Sequence, residues 1–102
     1  MAHEYKMPRT IENKLHEVYE NEKDGEIAEE AVLDAASELG YEVEEETETK
    51  SRTEPGSFVH NVKLVRREMG PWGEVAHVGW AHFNHPAPEY AHRRGEWTLY
   101  FL

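Results

Sequence analysis

The apolar positions of this 102-residue chain change period part-way along it. Ile11, Leu15, Val18 and Tyr19 recur at helical spacing after Pro8 and Thr10. With Thr10 as N-cap, they predict an amphipathic helix to about Asn21. Lys23-Asp24-Gly25 is a turn signal. A second helix is expected over Glu26 to Leu39, with Ile27, Ala28, Ala31, Val32, Ala35 and Leu39 inward and Gly40 at its end. From Tyr41 the period becomes two. Tyr41, Val43, Glu45 and Thr47 alternate with Glu42, Glu44, Glu46 and Glu48, which predicts a strand with one wholly acidic face.

Three more strands are expected: Phe58 to Arg67, Glu74 to Phe83 and Trp97 to Leu102. Glu54-Pro55-Gly56 and Gly70-Pro71-Trp72-Gly73 separate them as turns, and Asn84 to Gly95, with Pro86 and Pro88, reads as a loop. Residues 1–8 read as an irregular lead-in. The order ααββββ predicts an α+β domain spanning 1–102, two helices packed on a four-stranded antiparallel sheet.

Charge divides the chain in two. Residues 1–50 hold sixteen acids and five bases; residues 51–102 hold five and six, with five of the seven His. The net charge of −10 argues against direct binding to nucleic acid or an anionic membrane, and favours a basic protein partner. Only Asp24 and Asp34 among the acids are Asp, which speaks against a halophilic surface. The absence of cysteine removes disulfides and thiolate sites. No apolar run is long enough to span a bilayer and the first residues lack a secretory h-region, so a cytoplasmic location is expected, in a host cell if the gene is viral.

Three groups of residues could carry chemistry. Ser37, Ser51 and Ser57 are the only serines, none in a nucleophile elbow, and no Gly-rich phosphate loop is present, so neither an enzyme nor a cofactor is expected. His77, His82, His85 and His92 crowd a short stretch, with His60 across the strands. They form the alternative reading, a metal site, although the odd spacing of His77 and His82 puts them on opposite faces of a strand and no metal is assigned. The third group is the acidic surface. Glu29, Glu30, Asp34 and Glu38 on the second helix and Glu42, Glu44, Glu46 and Glu48 on the first strand are expected to bind a partner. Trp72 in its turn and Tyr90 in the long loop would supply desolvated contacts.

At the level of class, a small acidic domain of this kind resembles inhibitors of nucleases used by phages and mobile elements, anti-CRISPR, anti-restriction and immunity proteins among them. The expected function is occlusion or mimicry at the basic nucleic-acid-binding surface of a nuclease or CRISPR-type effector. A structural homodimer formed through the apolar last strand is the other alternative.

Overall fold

The computed structural model describes residues 3–102. It is an α+β structure of two helices and a five-stranded mixed sheet. The elements are β1 (His3–Lys6), α1 (Arg9–Asn21), α2 (Gly25–Glu38), β2 (Glu42–Lys50), β3 (Phe58–Gly70), β4 (Gly73–His85) and β5 (Thr98–Phe101).

The extra strand β1 corrects the expected irregular lead-in, and with it the four-stranded antiparallel sheet. Its four residues are all exposed, so no alternation announces it. What places it is the free edge of β4, where it pairs in parallel through His3↔Val75 to Lys6↔Val78. Met7 then donates its N–H to the Val78 carbonyl at 2.8 Å and buries its side chain where Gly79 leaves room. A Cβ on Gly79 would come within 2.7 Å of the Met7 methyl. β5 occupies the rest of the same edge of β4, antiparallel, from Ala81↔Phe101 to Asn84↔Thr98. The opposite edge of β4 pairs with β3, and β3 with β2.

The cap of α1 is Pro8, not Thr10: the helix begins at Arg9, and the Pro8 carbonyl accepts from Ile11 and Glu12. Asp24 caps α2, its carboxylate accepting from the N–H groups of Glu26 and Ile27 at 2.9 and 3.2 Å. At the other end Gly40 takes φ 89°, and the N–H groups of Gly40 and Tyr41 bond to the carbonyls of Ser37 and Ala36. This is the Schellman arrangement, which closes the helix and turns the chain into β2.

Both helices cover one face of the sheet. Leu15 and Tyr19 of α1 and Ala28, Val32 and Ala36 of α2 form the core with Val62, Leu64, Ala81, Phe83 and Leu99. Trp97 closes its end by lying on Gly25, where a Cβ would fall 2.1 Å from the indole. The other face, which includes Asn61, Val65, Ala76, Trp80, His82 and Tyr100, carries no helix.

β3 and β4 run longer than expected, to Gly70 and His85, because they hold each other in one continuous ladder. The Asn84–Gly95 loop therefore starts later and contains two short 3-10 turns, Pro88–Tyr90 and Arg94–Glu96. Trp97 precedes β5 and serves the loop instead, donating from Nε1 to the Ala91 carbonyl at 2.9 Å.

Candidate functional site

From Asp24 to Thr49 the chain carries eleven acids and no Lys, Arg or His. This stretch forms α2 and the edge strand β2. On α2, Glu30, Asp34 and Glu38 follow one another at i, i+4 spacing, about 6 Å apart along the axis, and all are exposed. β2 is exposed at every one of its nine positions.

The acidic strand does not present one face, contrary to its sequence pattern. A bulge at Glu44 shifts the register between Val43 and Glu45. Beyond it, Glu46 pairs with Val62 and Glu48 with His60, on the side of the helices, whereas Glu42 pairs with Val65 on the open side. An extra residue in one strand reverses the alternation that follows it. Glu44 itself reaches Lys63 at 3.1 Å and also pairs with Arg67. Hydrogen bonds from Arg67 and Lys63 hold its carboxyl below the ordinary range.

One imidazole joins helix and strand. His60 Nδ1 lies 3.0 Å from Glu29 Oε1 on α2, and its Nε2 lies 3.2 Å from Glu46 Oε1 on β2. The same Glu29 oxygen receives His85 Nε2 at 3.1 Å. Glu29 and both rings are mostly buried, each side chain 16–20 % exposed. Burial acts to raise the Glu29 pKa, but hydrogen bonds from His85 and His60 outweigh it and hold the carboxyl below its usual value. Glu29 is thus an ionised acceptor for two nitrogens. The His85 ring is fixed by stacking on Phe58, centroids 4.5 Å apart, and by the edge of Trp97 at 4.9 Å. A shallow groove lined by Glu46, Thr47, Glu48 and His60 opens beside this group.

The other histidines lie elsewhere. His77 meets Glu68 at 3.1 Å. His82 turns to the open face, bonded through Nδ1 to Asn61 and stacked on Tyr100. His92 is exposed in the 86–97 loop. Glu29, His60 and His85 form the one group among the described residues whose ligand atoms lie close enough to hold a metal ion, all within 4.8 Å of one another. No protein family, curated protein or solved structure matches the chain.

Of the expected partner-binding residues, Glu29, Glu30, Asp34 and Glu38 lie on α2 and Glu46 and Glu48 on the helix-covered side of β2, and the one contact that joins the two sets runs from Glu29 through His60 to Glu46. No ion pair among the described residues reaches Glu30, Asp34, Glu38, Glu42 or Glu48. Trp72 and Tyr90 do not join them. Trp72, 87 % exposed, tips the β3–β4 hairpin, whereas Tyr90 follows the far end of β4, on the order of 40 Å along that strand. Tyr90 is itself covered by the Arg93 guanidinium at 5.2 Å. Arg94 is structural. It donates to the carbonyls of Glu22, Tyr19 and Trp97, so it caps the C-terminus of α1 and ties the loop to it. Sequence reasoning passed over Glu29 as a partner of histidine because the acid and the two rings come from three separate elements.

Proposed function

We propose that the protein acts by binding a basic surface of another protein, an inhibitor that occupies the nucleic-acid groove of a nuclease or CRISPR-type effector. The carrying observation is the stretch that forms α2 and β2: eleven acids with no Lys, Arg or His between Asp24 and Thr49, an exposed helix ridge of Glu30, Asp34 and Glu38, and a junction of helix and strand where His60 meets both Glu29 and Glu46. Charge used only for solubility serves best when spread along the chain, whereas this charge is concentrated in two consecutive elements, α2 and β2. Clustered carboxylates raise the rate of encounter with a Lys/Arg-lined groove and repel nucleic acid itself. Glu42 and Glu44 contribute less, because Glu42 pairs with Val65 on the open face and Glu44 is neutralised by Lys63 and Arg67. Trp72 and Met69, 87 % and 79 % exposed at the hairpin tip, offer a second, apolar contact.

Capture from host-cell lysate tests the reading. The immobilised protein is loaded at about 50 mM salt and eluted stepwise to about 500 mM, a range over which exposed charge contacts are strongly screened. One dominant nucleic-acid-processing protein, released by salt and displaced by added nucleic acid, is expected. Capture of a partner that nucleic acid does not displace would refute groove occupancy.

A further inference from the structure

We propose that Glu29, His60 and His85 form a binding site for a divalent transition-metal ion, with zinc the best match and Glu46 supporting His60 from behind. The donor set is two imidazoles and one carboxylate, the composition of open zinc sites that hold a fourth, exchangeable ligand. Zinc sits about 2.0–2.2 Å from such donors, which places neighbouring ligand atoms about 3.3 Å apart in a tetrahedron. Glu29 Oε1 lies 3.0 Å from His60 Nδ1 and 3.1 Å from His85 Nε2, and all three ligand atoms fall within 4.8 Å of one another. Small rotations of the side chains open the short edges to that spacing and bring the two nitrogens onto a common ion.

The surroundings fit a metal as well as the donors do. A ligating histidine characteristically gives its second N–H to a carboxylate, which fixes the tautomer and strengthens the ligand. His60 has this arrangement: Nδ1 faces the site while Nε2 faces Glu46 at 3.2 Å. His85 is held by Phe58 and Trp97, so its Nε2 is aimed without help from the ion. The shallow groove along Glu46, Thr47 and Glu48 gives entry and leaves one position for water or for a partner's side chain. The three ligands come from α2, β3 and β4, so a bound ion would pin the acidic helix to the sheet.

The experiment uses the full chain without a polyhistidine tag, stripped with chelator and dialysed. Zinc is titrated by calorimetry and the bound metal counted by mass spectrometry. One ion per chain is expected, with a higher melting temperature. Cobalt(II) in place of zinc should give the intense visible bands of a four-coordinate site. His60→Gln and His85→Gln should each weaken binding by about 100-fold or more, and Glu46→Gln by about 10- to 100-fold. His77→Gln with His92→Gln in one chain should change nothing. Circular dichroism of each stripped variant establishes that it is folded. Should His60→Gln or His85→Gln fail to fold, the cobalt spectrum of the unaltered chain decides. Absence of stoichiometric uptake by the unaltered chain would overturn the proposal. So would a cobalt spectrum of hexahydrated type, or uptake abolished by the His77/His92 pair. None of these outcomes depends on whether a partner of the acidic residues is captured.

Discussion

On the helix-covered face of β3, His60 lies between the carboxylates of Glu29 and Glu46. One residue along, Asn61 turns to the open face and meets a neutral set: its amide donates to Thr47 and Thr49, and its carbonyl accepts from His82. Both faces thus bury polar side chains beside a histidine, yet their chemistry diverges. On the covered face the carboxylate is held ionised by its imidazoles. On the open face burial lowers the His82 pKa and keeps the ring neutral. The partner atoms, more than the depth of burial, decide which face can hold a cation.

The strongest way to break this comparison is to remove what organises the covered face. Trp97→Ala deletes the indole that packs on Gly25 and against His85. A loss of about 3–5 kcal/mol is expected, measured by urea unfolding. Tyr100→Ala, its counterpart on the open face, removes a half-exposed ring stacked on His82 and should cost about 0.5–1.5 kcal/mol. Equal losses would mean that the two faces contribute alike.

Next in size is Glu29→Leu, which leaves His85 and one nitrogen of His60 without their acceptor in a mostly buried place. About 1–3 kcal/mol is expected at neutral pH in the presence of chelator.

The pH dependence sharpens the contrast in a smaller range. The folded pKa of His82 lies below its ordinary 6.5, so the unfolded chain takes up a proton first. Stability is full above pH 6.5 and falls as the pH drops through the folded value. Glu29 behaves in the same direction at lower pH: its stabilisation is present above 4.5 and is lost as the pH falls through its depressed folded value. Melting curves should therefore show two successive losses on acidification. His82→Gln should remove the first and leave the second; a first loss that survives this substitution contradicts the assignment. The smallest stability effect is expected from charge reversal of Glu30, Asp34 and Glu38, each within about 0.5 kcal/mol because none makes an ion pair among the described residues.

The helices and the two longest strands, β3 and β4, were legible because their apolar residues repeat at the period of the element, and β2 showed only as an alternation of acids with Val43 and Thr47. Asp24 and Gly40 punctuate α2 in the way their side chains require. β1 was not legible: four exposed residues carry no pattern, and the open edge of β4 makes them a strand. Nor was the bulge at Glu44, since a run of glutamates looks the same in either register. The acidic surface was visible as composition, but its division between two faces was not. The meeting of Glu29 with His60 and His85 depends on α2 crossing the β3–β4 ladder, a tertiary fact with no local signal.

The most direct test of the central claim compares capture from host-cell lysate by the unaltered protein and by a chain carrying Glu30→Lys, Asp34→Lys and Glu38→Lys together. The account predicts equal folding by circular dichroism, salt-sensitive capture of one dominant nucleic-acid-processing protein by the unaltered chain, and loss of that capture by the variant at about 50 mM salt. The same partner held by both chains, with the same dependence on salt, would contradict it.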